Sequence, residues 1–170
     1  APGNLNPLAN ALAQNTTYGN YNAFGEAGQV TGPTGDVTNY TYDARGRMAT
    51  KTTHPNGTGA TWSYGYDGFG LLASQSAPDG ESTTWNRDAE MRVSTIVRND
   101  KDGSSTETLA YDANSDVTSD TLARGSDVAF TKTATYDALG RVYQQKGANG
   151  QVLTYAYDGN GNVLSVTDAL

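Results

Sequence analysis

The sequence contains no cysteine, which excludes a disulfide framework and any thiolate nucleophile or ligand. Histidine is nearly absent too. The one copy, His54, stands before Pro55, so a histidine-based metal site would lack its other usual ligands. A Ser-His-Asp arrangement would have a single possible base and no nucleophile elbow beside it. Basic residues are few: 11 Lys and Arg against 18 Asp and Glu give a net charge of -7, with no basic cluster. A phosphate footprint needs concentrated positive charge, so nucleic acid is not an expected partner. No run approaches the roughly 18 apolar residues of a membrane helix, so no membrane insertion is expected. The Ala-Pro-Gly start is not a charged-then-apolar signal peptide. Hydrophobic residues amount to 36%, below the usual range of about 45 to 50% that also counts glycine. A thick helix-packed enzyme core is therefore not expected, and neither is a catalytic centre, a metal or a cofactor.

What the chain has instead is glycine, 20 residues, and tyrosine, 11 residues. They fall into a repeat. Tyr42-Asp43-Ala44-Arg45-Gly46-Arg47-Met48 returns as Tyr66-Asp67-Gly68-Phe69-Gly70-Leu71-Leu72, as Tyr136-Asp137-Ala138-Leu139-Gly140-Arg141-Val142 and as Tyr157-Asp158-Gly159-Asn160-Gly161-Asn162-Val163. Weaker copies begin at Tyr21, at Arg87 (Arg87-Asp88) and at Tyr111 (Tyr111-Asp112). Seven units thus start at positions 21, 42, 66, 87, 111, 136 and 157, in steps of 21, 24, 21, 24, 25 and 21. The variation belongs in loops, because one residue inserted in a strand would flip its side chains to the other face.

Each unit reads as two strands and two turns. Trp62-Ser63-Tyr64-Gly65-Tyr66 and Leu153-Thr154-Tyr155-Ala156-Tyr157 alternate with period two, which puts the large side chains on one face. The Asp-x-x-Gly that follows is a tight-turn signature. The aspartate accepts from N–H groups ahead of it, and glycine takes positive φ. Six positions after each start stand Met48, Leu72, Val93, Val117, Val142 and Val163, an expected second core row. Second turns recur at Pro33-Thr34-Gly35-Asp36, Pro55-Asn56-Gly57, Pro78-Asp79-Gly80, Asp102-Gly103, Arg124-Gly125 and Asn149-Gly150. The expected fold is all-β: tandem antiparallel β-hairpins in a continuous, coiled sheet. Residues 1–17 depart from the repeat and are expected to be an irregular cap, with residues 18–170 forming the array. Leu8, Ala11 and Leu12 make Pro7 to Gln14 the one stretch with helical spacing. The β-prone end from Asn162 to Asp168 is expected to fray or to pair edge to edge with another chain.

Tyr-x-Tyr-Asp-x-x-Gly-Arg-aliphatic resembles the YD repeat of the RHS-repeat family, and Tyr40 to Met48 matches every signature position. The resemblance spans roughly residues 18–170. Its relatives include bacterial RHS polymorphic toxins, shell-forming components of insecticidal toxin complexes, wall-associated bacterial proteins and the animal teneurins. It implies a hollow β-shell, which in the bacterial toxins encloses a cytotoxic C-terminal segment. The signature residues it singles out are Tyr42, Asp43, Gly46, Arg47, Tyr66, Asp67, Gly70, Asp88, Tyr111, Asp112, Tyr136, Asp137, Gly140, Arg141, Tyr157, Asp158 and Gly161. Met91 and Ser115 stand where the pattern has glycine, so altered loops are expected there. Glu26, Leu71, Asp116 and Asn162 replace the arginine. No Asp-Pro-x-Gly-Leu junction of the kind that ends an RHS core is present.

Sharper chemical readings fare poorly against this frame. The row of aspartates repeats one turn role, whereas acid/base catalysis needs carboxylates in two different environments. Asp158-Gly159-Asn160-Gly161-Asn162 starts like a calcium loop but has Val163 where glycine belongs and Ala169 where glutamate belongs. Trp62 and Trp85 suggest a glycan platform, yet they fall in the alternating large-residue row. The expected function is a non-enzymatic scaffold, a segment of a secreted or cell-surface bacterial-type shell. Its expected partners are further YD repeats or an enclosed C-terminal segment of a larger parent protein. The alternative is an adhesion or carbohydrate-binding module with glycans as ligands.

Overall fold

The computed structural model describes residues 8–9, 15–54 and 58–169. Every regular element in them is a strand: β1 Leu8–Ala9, β2 Asn15–Tyr21, β3 Ala27–Thr31, β4 Val37–Tyr42, β5 Met48–Thr53, β6 Ala60–Tyr66, β7 Leu72–Ser76, β8 Ser82–Arg87, β9 Val93–Asp100, β10 Gly103–Tyr111, β11 Val117–Arg124, β12 Asp127–Tyr136, β13 Val142–Lys146, β14 Val152–Tyr157 and β15 Val163–Ala169. The chain divides into two units, Ala1–Ser82 and Thr83–Leu170. In the first, β1 to β7 are antiparallel neighbours in chain order. In the second, β9 to β15 do the same.

The tandem-hairpin expectation holds, because the turn chemistry is local. Asp43 N–H donates to the Arg47 carbonyl at 2.8 Å and Gly46 N–H to the Asp43 carbonyl at 3.0 Å. This turn ends in a left-handed residue and leaves a bulge beside the tyrosine, where the register shifts between Thr41 and Tyr42. The same shift recurs at Tyr66, Tyr111, Tyr136 and Tyr157. Gly46, Gly70, Gly140 and Gly161 have φ of 77, 96, 74 and 88°.

Four expectations need correction. Met91 and Ser115 do not alter their loops: with φ of 68 and 72° they adopt the glycine conformation. They also donate to the Asp88 and Asp112 carbonyls at 3.1 Å like their glycine counterparts. The turn's hydrogen bonds outweigh the left-handed penalty of roughly 1 to 2 kcal/mol. The aliphatic row is not a core: no hydrophobic residue among those described is buried, and Val163 is 54% exposed. Strand pairing within each unit covers the edges of these side chains, and among the described residues it leaves them part-exposed. Within the stretch of helical spacing, Leu8–Ala9 is a strand paired with Thr16 and Asn15, and its remainder lies outside the described residues. Strand β2 already begins at Asn15, so the repeat array reaches into the segment expected to be a cap. The turn at Pro55-Asn56-Gly57 also lies outside the described residues.

The two faces differ in kind. Tyr40, Lys51 and Trp62 stand opposite one another on β4, β5 and β6, and Lys51 Nζ lies 5.4 Å from the Trp62 ring. On the other face threonines pair across strands, Thr41 with Thr50 at 2.6 Å, Thr52 with Thr61 at 2.9 Å and Thr121 with Thr131 at 3.1 Å between hydroxyls. Such cross-strand pairs contribute roughly 0.2 to 1 kcal/mol each.

Candidate functional site

The signature residues converge on one construction that links a repeat to the next within each unit. In the second repeat, Asp43 Oδ1 accepts from the N–H groups of Arg45 at 2.8 Å and Arg47 at 3.0 Å. Its Oδ2 accepts from Arg47 Nε at 2.8 Å and pairs with the other guanidinium nitrogen at 2.6 Å. The aspartate thereby closes the turn and aims the arginine along the sheet. The Arg47 guanidinium then sits 4.3 Å from the ring centroid of Tyr66 in the following repeat. The Tyr66 hydroxyl reaches back and donates to the Met48 carbonyl at 3.0 Å.

The same staple is built by Asp88, Arg92 and Tyr111: Nε to Oδ2 at 2.8 Å, guanidinium over ring at 4.5 Å, hydroxyl to the Val93 carbonyl at 2.7 Å. Asp137, Arg141 and Tyr157 repeat it at 2.7, 4.4 and 2.7 Å, the last bond ending on the Val142 carbonyl. Arg92 and Arg141 also donate to the Asp112 and Asp158 carbonyls, at 3.1 and 3.3 Å. Arginine suits this role because one planar fork serves a carboxylate, a ring face and a carbonyl together.

Where arginine is absent the tyrosine bond persists. Tyr42 donates to the Ala27 carbonyl at 3.0 Å and Tyr136 to the Val117 carbonyl at 2.8 Å. The Tyr42 phenol is pushed above its ordinary pKa by burial, then by the charges of Glu26 and Tyr40. Tyr136 is raised by burial, then by Asp116 and Asp112. Asp43 is held down to about 2 by its hydrogen bonds from the Arg47 side chain and backbone. Asp137 is lowered by the same two bonds from Arg141, and Asp158 by those from Asn162. For Asp88 desolvation pulls upward, and the hydrogen bonds from the Arg92 side chain and backbone together with its charge more than offset it, so the carboxyl is lowered as well.

The other turn aspartates have equally local partners. Asp158 Oδ1 accepts from the N–H groups of Asn160 and Asn162, and its Oδ2 accepts from the Asn162 side chain, each at 2.9 Å. Asp158 thus closes a hairpin turn of the same kind. Asp67 accepts from the N–H groups of Phe69 and Leu71, and Asp112 from those of Asn114 and Asp116. Gly70 has a second constraint: a Cβ there would stand 3.3 Å from the Arg47 guanidinium. Asn22, which the pattern left out of the aspartate row, takes the same part by accepting from Phe24 and Glu26 N–H at 3.0 Å. Its place one residue after Tyr21 was the available signal.

One staple is open. The Tyr21 hydroxyl is buried and has no hydrogen-bond partner among the described residues.

Comparison with known proteins accords with this geometry. The family model of the RHS repeat matches residues 21–58 and 136–170. Those two stretches match the RHS repeat. No curated protein matches it. Among solved structures, the complex TcdB2-TccC3-Cdc42 shares the fold with a TM-score of 0.73 at 19% identity, over 91% of this chain. TcdB2-TccC3 gives 0.73 at 18% over 91%, and a Photorhabdus luminescens Tc holotoxin pore with mutant TccC3 gives 0.71 at 16% over 92%. The chain spans only 9% of the length of each of these proteins.

Proposed function

We propose that this RHS segment is a length of wall, a non-enzymatic part of a larger exported shell that encloses or presents a toxin or effector segment. The observation that carries the reading is the staple. Side chains with chemical potential, the aspartates, arginines and tyrosines, are engaged in joining one hairpin to the next. A sheet extended by such joints satisfies its backbone through strand pairing and walls off one side from the other. The TcdB2-TccC3 proteins that share the fold support the same reading.

The partners that follow are further repeats on either side and the enclosed segment of the parent protein. Strand β15 pairs with β14 along one edge, so its other edge is where the next repeat, or the edge of a second copy, would add.

Limited proteolysis of the full-length parent tests the proposal. The segment downstream of the repeats should resist digestion until the repeats are unfolded by urea. A downstream segment cut as fast as its isolated form would overturn enclosure. The glycan-binding alternative draws on the half-exposed Trp62 and Trp85. Clear hits on a glycan array, lost on Trp62→Ala, would favour it.

A further inference from the structure

Within the second unit the staples are not continuous. Arg92 and Arg141 close the joints at Tyr111 and Tyr157, and the joint between them, at Tyr136, has Asp116 in the arginine's place. Asp116 reaches toward the next turn as an arginine does: a Cβ on Gly140 would stand 3.7 Å from its Oδ2, and one on Gly70 would stand 3.3 Å from the Arg47 guanidinium. It brings the opposite charge, on the same turn as Asp112, whose Oδ1 accepts from the N–H groups of Asn114 and Asp116. The face of a tyrosine ring attracts a guanidinium and repels a carboxylate. The Tyr136 phenol registers that field, being raised by burial and then by the charges of Asp116 and Asp112. The joint keeps the Tyr136 bond to the Val117 carbonyl at 2.8 Å.

Two further departures fall on the same strand pair, β11 and β12. Two residues before the signature tyrosine the neighbouring repeats carry Leu109 and Tyr155, but this one carries Ala134. A pocket opens there, walled by Val117, Ala134, Tyr136 and Val142. The ladder itself has a register shift between Leu122 and Ala123. The pair β9–β10 gives the contrast. Its ladder also joins six residue pairs, yet it runs without a shift, has Arg92 over the Tyr111 ring at 4.5 Å and holds the Arg98–Glu107 ion pair at 2.8 Å. With ladders of equal length, the side chains and the shift make the difference.

We infer that β11–β12 is a compliant seam, set between two stapled joints, at which the second unit opens before β9–β10 does. Opening there separates few packed apolar groups, breaks no arginine fork and moves two carboxylates away from a ring face. The hairpins on either side stay closed through their own turn bonds, Asp112 N–H to the Asp116 carbonyl at 3.0 Å and Asp137 N–H to the Arg141 carbonyl at 2.8 Å. The seam lies within the second unit and goes beyond the wall reading, so its failure would leave enclosure untouched.

The test is native-state hydrogen exchange of the intact chain, read residue by residue by NMR at low urea. Amides bonded across β11–β12 should be about tenfold or more less protected than those bonded across β9–β10. Asp116→Arg, which supplies the missing fork to Asp112 and the Tyr136 ring, should raise protection at the seam about fivefold and leave β9–β10 within about twofold. Ala134→Tyr, which changes packing and not charge, should also raise it at the seam alone. Arg92→Leu should lower protection across β9–β10 toward the level of the seam. Equal protection across the two pairs in the native chain would overturn the inference. So would a seam left unchanged by both Asp116→Arg and Ala134→Tyr, or a rise of the same size at β9–β10, which would report the stability of the whole unit.

Discussion

Replacing each signature tyrosine by phenylalanine separates the staple from mere aromatic packing, because the substitution deletes one hydroxyl and keeps the ring. At Tyr42, Tyr66, Tyr111, Tyr136 and Tyr157 that hydroxyl donates to a backbone carbonyl 15 to 19 residues earlier, at 2.7 to 3.0 Å. Losing such a bond costs roughly 0.5 to 1.5 kcal/mol, and the carbonyl left behind is only half-shielded, so the middle of that range is expected. For a chain of this size, about 1 kcal/mol corresponds to a melting-temperature drop of roughly 2 to 4 °C. Tyr21 is the internal control. Its hydroxyl is shielded and without a partner among the described residues, so Tyr21→Phe removes a desolvated polar group and loses no bond. It should be neutral or stabilise by up to about 1 kcal/mol. Urea unfolding followed by far-UV circular dichroism gives the comparison, because the slope reports whether the unfolding unit has changed along with the midpoint. Tyr21→Phe costing as much as Tyr66→Phe would refute the assignment of stability to the hydroxyl bond.

Two further expectations follow from the turns. Gly46→Val should destabilise by about 1 kcal/mol or more, since a branched residue resists the left-handed conformation. Ser115→Gly should be neutral to stabilising despite losing the 3.1 Å contact from Arg92, and a loss as large as at Gly46 would contradict the shared geometry. The Asp43 carboxyl has a folded-state value of about 2, below an unfolded value of roughly 3.9. Its contribution is therefore complete above the unfolded value and is lost as pH falls through about 4 toward 2. The stability gap between the native chain and Asp43→Asn should be clear at pH 6 and close near pH 2, and a gap that persists there would show that the carboxylate is not its source.

The period, the turn glycines and the two-faced strands were legible in the sequence because their causes are local. Asp-x-x-Gly folds on hydrogen bonds spanning at most four residues, and alternation assigns each side chain to a face whatever covers it. Burial was not legible. Alternating tyrosines and aliphatics read alike whether their face meets a second layer or stands open, and here Met48 and Val93 are only half-buried. The turns at Met91 and Ser115 escape the sequence for a related reason: propensity speaks for the single residue, whereas the Asp88 and Asp112 side chains hold the whole turn. The joint between repeats was decided by tertiary structure alone. Strand register brings Tyr66 to the Met48 carbonyl and lays Arg47 over its ring. Those meetings are between residues on neighbouring strands, and a one-dimensional pattern names the partners without saying which of them touch.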